Sequence, residues 1–268
     1  KDWATDVGIW ADTSRRYLVA GRLLPYSLCT LQYKALMAKR SVKRSPEDAK
    51  EVEKRIGSVC HGTKVEASFE EDYDLGGLLE TGTFSSFREA TRKADGVKAA
   101  VKIVERSNLD EVGLGRLRRE ACLLRELEHP NVVKLYGLYE EKTTLYMSLE
   151  LCQGGDLLDF IASKNSYNEK DARGLVRTLL TTVKHMHDNN IVHCDLQPKN
   201  LLLVAKCDIA NLKLAGFRFA TKENTASDNC PTSHSSPEYL APEIWNSEPC
   251  GSSVDTWSVG VLTYILVA

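Results

Sequence analysis

The sequence predicts an α+β protein of two lobes, because its strand signals and helix signals are separated along the chain. Short β-type runs dominate from residue 73 to residue 149, and mostly helical patterns follow Gly154 and Gly155. A strand-rich half, a glycine-rich hinge and a helix-rich half give a cleft at their junction, where ligands usually bind. We expect an N-terminal extension over residues 1–72, an N-terminal lobe over residues 73–148 and a C-terminal lobe over residues 149–268.

Composition supports a globular protein and excludes some functions. Of 268 residues, 43% are hydrophobic and 27% are charged, and the net charge of −2 argues against a nucleic-acid binder. The eight cysteines contain no C-x-x-C pair and no metal-ligand spacing with histidine. The cysteine pattern therefore indicates neither zinc nor a disulfide framework, and we expect a reducing, cytoplasmic setting.

Hydrophobic patterns define the elements of both lobes. The predicted strands cover residues 73–80, 85–91, 97–105, 132–139 and 144–149. The predicted helices cover residues 116–127, 156–164 and 169–188, and two short apolar runs at 200–204 and 211–214 predict a hairpin.

The last fifteen residues, VDTWSVGVLTYILVA, are apolar on nearly every side, as in a helix at the centre of a domain. With Asp255 inside it, this segment is too short to span a bilayer. A central helix at the end of a chain has no following layer to cover it. We therefore expect the C-terminal lobe to be incomplete, with the chain truncated after this helix.

The N-terminal extension carries eight basic residues and no acidic residue between residues 13 and 44. Such a run forms either a solvated face or linker, or a contact with an anionic membrane surface through residues 15–44. Ser45 and Pro46 then predict the start of a short polar helix over residues 46–56.

Short motifs follow one another in a fixed order from residue 79 onward. They read LETGTFSSF at 79–87, AAVK at 99–102, LELC at 149–152, IVHCDLQPKN at 191–200, LAGFR at 214–218, SPEYLAPE at 236–243 and DTWSVG at 255–260. In this order the motifs resemble the eukaryotic protein kinase family from about residue 73 to the end. The resemblance is to serine/threonine kinases, in particular the calcium/calmodulin-dependent group.

The resemblance implies roles for individual residues. Lys102 would contact ATP phosphates while Glu120 holds it in place, Asp195 would be the base for a substrate hydroxyl, and Asn200 would bind Mg²⁺. Asp255 would brace the backbone of the catalytic loop. The implied ATP-binding positions are Leu79, Gly82, Phe87, Ala100, Lys102, Glu150, Cys152, Asp156 and Leu202. An acidic cap at a helix start is the other interpretation of Asp156.

Five departures from the family pattern fall where phosphate or metal would lie. They are Glu80 and Ser85 in place of glycines, Cys194 in place of arginine, Gln197 in place of lysine, and Gly216 in place of the aspartate that binds Mg²⁺. Asn200 alone is a poor magnesium site, because a neutral amide neutralises none of the ion's charge. Arg218 stands where the family has a glycine and could contact phosphate.

Three hypotheses follow for the function. The first is a pseudokinase that acts in signalling through its ATP site or by binding protein partners. The second is an active serine/threonine kinase that transfers the ATP γ-phosphate to protein substrates. The third is a membrane- or partner-binding module that works through residues 1–72.

Overall fold

The computed structural model describes residues 68–82, 85–163, 169–206, 208–209, 211–223, 236–245 and 251–267, together with three short strands near the N-terminus. Those strands, β1 (Ile9–Asp12), β2 (Arg16–Val19) and β3 (Arg22–Pro25), form an antiparallel sheet. The helix expected over residues 46–56 and most of the basic segment lie outside the described residues. Within the described part, no helix is long and apolar enough to cross a membrane.

The N-terminal lobe is built on five strands, which are β4 (Tyr73–Thr81), β5 (Ser86–Arg92), β6 (Lys98–Glu105), β7 (Leu135–Glu140) and β8 (Thr144–Glu150). They form an antiparallel sheet with the order β4-β5-β6-β8-β7. A short helix, α1 (Phe69–Asp72), leads into it. The five predicted strands are confirmed, although β7 begins at Leu135 rather than at residue 132.

One helix, α2 (Glu111–Glu126), interrupts the strands and begins five residues before the predicted start. The Asp110 side chain caps it, since one carboxylate oxygen accepts a hydrogen bond from the Gly113 N–H at 2.7 Å. Gly113 and Gly115 weaken the helical pattern of the first turns, which is why the sequence predicted a later start for α2.

The C-terminal lobe is mainly helical. Its elements are α3 (Leu157–Ser163), α4 (Glu169–Asp188), β9 (Ile191–Val192), β10 (Leu201–Leu203), β11 (Leu212–Leu214), β12 (Thr221–Lys222), α5 (Pro242–Trp245) and α6 (Ser253–Val267). β10 and β11 pair antiparallel, which confirms the predicted hairpin. Buried leucines from both lobes, including Leu124 and Leu179, belong to one hydrophobic core.

The connection between the lobes requires glycine at residue 154. The Gly154 N–H donates to the Leu203 carbonyl at 2.9 Å, which brings the connection against β10. A Cβ atom at Gly154 would lie within 3.0 Å of the Ala205 carbonyl and of the Leu203 side chain. The glycine-rich hinge is thus a site of close packing against the C-terminal lobe.

The helix α6 is buried along part of its surface only. Val254, Leu262 and Leu266 are buried, whereas Tyr264 and Val267 are more than half exposed. The sequence predicted a central helix because α6 is apolar on nearly every side. Some of these apolar side chains face solvent in the structure.

The cysteines depart from expectation at one position. Cys122 is disulfide-bonded, whereas Cys152 and Cys194 are not part of a disulfide. The spacing of the cysteines along the chain carries no signal for the bridge at Cys122, so the sequence pattern could not reveal it.

An aromatic cluster fixes α1 on the N-terminal sheet, although no local sequence pattern predicted it. The fully buried Phe69 ring stacks on Tyr73 and Tyr146, with centroid distances of 5.1 and 4.4 Å, and meets Tyr139 edge-on. The Tyr139 hydroxyl donates to Asp72 at 2.9 Å. The segment just before residue 73 is therefore packed into the lobe.

We expect Phe69→Ala to destabilise the protein by about 3–5 kcal/mol, because the substitution removes a fully buried ring and leaves a cavity. Denaturant unfolding measures the change. Glu71→Ala, on the exposed side of the same helix, serves as the control and is expected to stay within about 0.5 kcal/mol of the original protein. A loss below about 1 kcal/mol for Phe69→Ala would show that α1 contributes little to the lobe.

Candidate active site

A buried ion pair joins the sheet of the N-terminal lobe to α2. The Lys102 ammonium on β6 lies 2.8 Å from a carboxylate oxygen of Glu120, and the two side chains are 12% and 6% exposed. Water screens such a pair weakly, so its attraction fixes the position of α2 against the sheet. The structure thus brings together the two residues that the sequence paired.

Strand register shows which side chains share the face of Lys102. Phe87 on β5 lies directly opposite Lys102, and Ala100 is two residues from Lys102 on the same strand. Side chains at these positions point to the same face of a sheet. Farther along the lobe, Leu79 on β4 is 46% exposed, and the Gly82 N–H closes a turn onto the Ser85 carbonyl at 2.8 Å.

The hinge residues have local partners. The Glu150 carboxylate accepts a hydrogen bond from Lys213 at 2.8 Å, and the Glu150 N–H donates to the Lys134 carbonyl. Cys152 is half-buried, and burial raises the pKa of its thiol to about 11, so the thiol remains protonated at neutral pH.

The Asp156 side chain acts as a helix cap. One of its oxygens accepts a hydrogen bond from the Asp159 N–H at 2.8 Å, at the start of α3. Its backbone also forms an isolated bridge with Leu202 on β10. The capping interpretation of Asp156 is confirmed, and a contact with a ribose hydroxyl would have to use the other carboxylate oxygen.

Two neighbouring amides hold the carboxylate of Asp195. The Gln197 side chain donates to one oxygen at 2.8 Å, and the Asn200 side chain donates to the other at 2.9 Å. Burial raises the pKa of Asp195 to about 6, although these hydrogen bonds oppose the rise. The charge of Arg218 opposes it further. Asp195 is therefore largely ionised at neutral pH and can accept a proton.

The loop that carries Asp195 is held by the fully buried carboxylate of Asp255 on α6. One Asp255 oxygen accepts a hydrogen bond from the His193 N–H at 2.8 Å, and the other accepts from the Cys194 N–H at 2.9 Å. His187 on α4 binds the first oxygen at 2.9 Å. Cys194 has a φ of +64°, a strained value that these bonds help to maintain. The bracing role implied for Asp255 matches this geometry, and the part of His187 was missed.

A neutral histidine links this loop to the segment after β11. The Asp195 N–H donates to Nδ1 of His193, and Nε2 of His193 lies 3.0 Å from the Ala215 carbonyl. Burial lowers the pKa of His193, which favours the neutral ring with its proton on Nε2. The Phe217 ring meets the His193 ring edge-on at 4.7 Å. Residues 215–217 are thus fixed beside the catalytic loop.

With the Asn200 side chain in its present position, Gly216 has no room for a Cβ atom. Gly216 has a φ of +81°, and a Cβ atom there would lie within 3.0 Å of three atoms of the Asn200 side chain. Asn200 itself is tied to Asp195, because its amide also donates to the Asp195 carbonyl at 2.7 Å. Asn200 therefore occupies the space that a side chain at position 216 would need.

These residues do not fit a magnesium ion. Gly216, which lies against Asn200, has no carboxylate, and the Asn200 amide nitrogen is bonded to Asp195, so this pair offers a metal only the neutral amide oxygen of Asn200. Magnesium requires hard, charged oxygen ligands in near-octahedral geometry. Among the described residues, no group of three or more His, Cys, Asp or Glu side chains could hold a metal ion.

The side chains around Lys102 do suit an anionic nucleotide. The resemblance placed ATP phosphates at this lysine, and its ammonium is held on the sheet face that also carries Phe87 and Ala100. A fixed cation beside apolar side chains is the pattern of a nucleotide site, where a few placed polar groups orient the ligand.

Comparison with known proteins agrees with this geometry. The protein kinase domain family matches residues 73–268, and the chain belongs to this family. It is 35% identical over 207 residues to a probable myosin light chain kinase of Dictyostelium discoideum, covering 77% of this chain and 53% of that protein. It is 40% identical over 199 residues to calcium/calmodulin-dependent protein kinase type 1 of Macrobrachium nipponense, covering 74% and 57%.

A third relative is death-associated protein kinase 2 of Mus musculus, which is 36% identical over 204 residues, covering 74% of this chain and 55% of that protein. The chain thus spans a little over half the length of these curated relatives. Members of the family use ATP and Mg²⁺ and bind protein substrates. The two-lobed kinase fold predicted from the sequence is confirmed.

We expect Gly216→Ala to destabilise the protein by at least about 1–3 kcal/mol, because the new Cβ combines a strained φ with a clash against Asn200. Gly174→Ala is the matched control. That glycine lies on the exposed side of α4 with no atom near its Cβ position, so the alanine is expected to stabilise by up to about 1 kcal/mol. Equal unfolding free energies for the two variants would contradict the close approach of Gly216 and Asn200.

Proposed function

We propose that this protein is a catalytically impaired member of the protein kinase family, a pseudokinase that acts in signalling by binding ATP in its cleft or by binding protein partners. The observation that carries the proposal is the pairing of Gly216 with Asn200. Gly216 supplies no carboxylate at the metal-binding position, and the Asn200 side chain lies where a side chain at position 216 would be.

Three further changes support impaired transfer. Gln197 places a neutral amide on Asp195 where the family pattern has a lysine. Cys194 is buried at the position of the family's arginine, and Glu80 adds a negative charge at the position of a glycine. Each change removes positive charge, or adds negative charge, where charge develops during phosphoryl transfer.

Some of the catalytic machinery is kept, and this supports a second candidate function, a serine/threonine kinase of low activity. The ion pair of Lys102 with Glu120 is closed at 2.8 Å, and Asp195 stands on a braced loop. Losing one preorganised catalytic group costs about 10²–10³ in rate, which reduces transfer without abolishing it.

The acceptor class and the organisation of the chain are part of the proposal. The segment at 236–243 resembles the serine/threonine type, and the relatives include calcium/calmodulin-dependent kinases, so any acceptor is proposed to be a serine or threonine hydroxyl. We propose an N-terminal lobe over residues 73–148, with α1 packed on its sheet, and a C-terminal lobe over residues 149–268. We also propose a cytoplasmic location.

A radiolabelled ATP assay with a generic serine/threonine substrate, with Mg²⁺ and then Mn²⁺, tests the proposal. We expect transfer by the original protein to be no faster than transfer by Asp195→Ala, since the metal site is lost. A signal well above that of Asp195→Ala would contradict impairment and favour the second candidate. A signal that survives in Asp195→Ala would come from another source and would count against the second candidate.

Binding of ATP gives a separate test of the cleft. We expect Lys102→Ala to weaken ATP binding by about tenfold or more, because a charge-assisted bond to phosphate is lost. Lys98→Ala is the control, since Lys98 lies on the same strand but is exposed and binds Thr91. Calorimetric titration measures both variants. Equal affinities would show that nucleotide does not use this cleft in the manner of the family.

A further inference from the structure

The loss of the metal ligand is accompanied by a new cation on the same segment. Gly216 has no side chain, and Arg218 follows two residues later in a single 3₁₀ turn, Phe217–Phe219. The family pattern has an aspartate at the first position and a glycine at the second. Compared with that pattern, the segment has lost a negative charge and gained a positive one.

The turn holds Arg218 in an exposed position two residues after Gly216. Phe217 is buried against His193, and Phe219 is buried as well, so both neighbours of Arg218 are anchored. The Arg218 guanidinium carbon lies 5.5 Å from the centroid of the Phe219 ring, within range of a cation–π interaction. Arg218 itself is exposed. An anchored arginine loses less conformational entropy on binding an anion than one on a mobile loop.

The positive charge of Arg218 is not neutralised within the described part of the chain, where no carboxylate lies within ion-pair distance of its guanidinium. Geometry places this segment near Asp195, because Asn200 bonds to Asp195 and lies against Gly216, two residues before Arg218. The charge of Arg218 also opposes the rise in the pKa of Asp195. Lys102, the other cation of the cleft, is already paired with Glu120. Arg218 is therefore available to an anion that enters beside Asp195.

We propose that Arg218 takes the place of the divalent cation and binds the phosphate oxygens of a nucleoside triphosphate directly, with Lys102, so that nucleotide binds this protein without metal. A guanidinium offers two parallel N–H donors that match phosphate oxygens. The free nucleotide carries more negative charge than its magnesium complex, so the added positive charge of Arg218 favours the metal-free form. This inference rests on the proposed function, because it requires the cleft to serve for binding.

Calorimetric titration of the full chain with ATP, in EDTA and then in excess Mg²⁺, tests the inference. We expect binding in EDTA to be at least as tight as binding in Mg²⁺. Arg218→Ala should weaken binding in EDTA by about ten- to hundredfold, the usual effect of losing a charge-assisted hydrogen bond. Arg218→Lys should recover part of the loss, since it keeps the charge but not the two parallel donors.

Arg173→Ala is the matched control, because it removes the same charge from the exposed side of α4 and should leave affinity unchanged. Binding that requires Mg²⁺, or an Arg218→Ala variant that binds as tightly as the control in EDTA, would overturn the inference. Absence of ATP binding in both conditions would also overturn the inference. The proposed function would then stand only in the form of a pseudokinase that binds protein partners. Rapid transfer with Mg²⁺ would instead overturn the proposed function, whatever the effect of Arg218→Ala on binding in EDTA.

Discussion

The candidate site depends on one buried carboxylate. Asp255 is completely removed from solvent, and an isolated charge in that position would be very costly. Backbone N–H groups of two successive loop residues and the ring of His187 offset this cost by hydrogen bonding to both oxygens. The same bonds hold Cys194 at a positive φ and so determine the direction of Asp195, the next residue. The apolar helix α6 thus acts as the support for the catalytic loop.

The two halves of the cleft have different relations to the family pattern. On the side of the N-terminal lobe, the ion pair of Lys102 and Glu120 is kept and buried, which retains a fixed cation for phosphate. On the side of the C-terminal lobe, Asn200 turns toward Asp195 and closes onto Gly216. The first half suits nucleotide binding and the second does not suit a magnesium ion, which is why the proposed function separates binding from transfer.

The sequence was sufficient to predict the elements that have a clear hydrophobic periodicity or that carry a motif of the family. The helix α4 has the predicted bounds. The contact of Lys102 with Glu120 was also predicted, because the motifs placed one residue on a strand and the other on the following helix. Other features depend on the meeting of distant segments. The stack of Phe69 on Tyr146 joins residues far apart in the chain, and no local pattern marks it. The early start of α2 was hidden by two glycines whose cost the Asp110 cap helps to offset.

The contact between Gly216 and Asn200 illustrates the same limit at the site itself. The sequence showed that a carboxylate was absent, but only the three-dimensional arrangement showed that the space was filled. The most direct test is a crystal structure of the full chain with ATP and Mn²⁺, with anomalous scattering used to locate the metal. The account predicts phosphate electron density beside Lys102 and no anomalous peak between Asn200 and Gly216. A manganese peak bound to the Asn200 side chain, with that side chain turned away from Asp195, would contradict it.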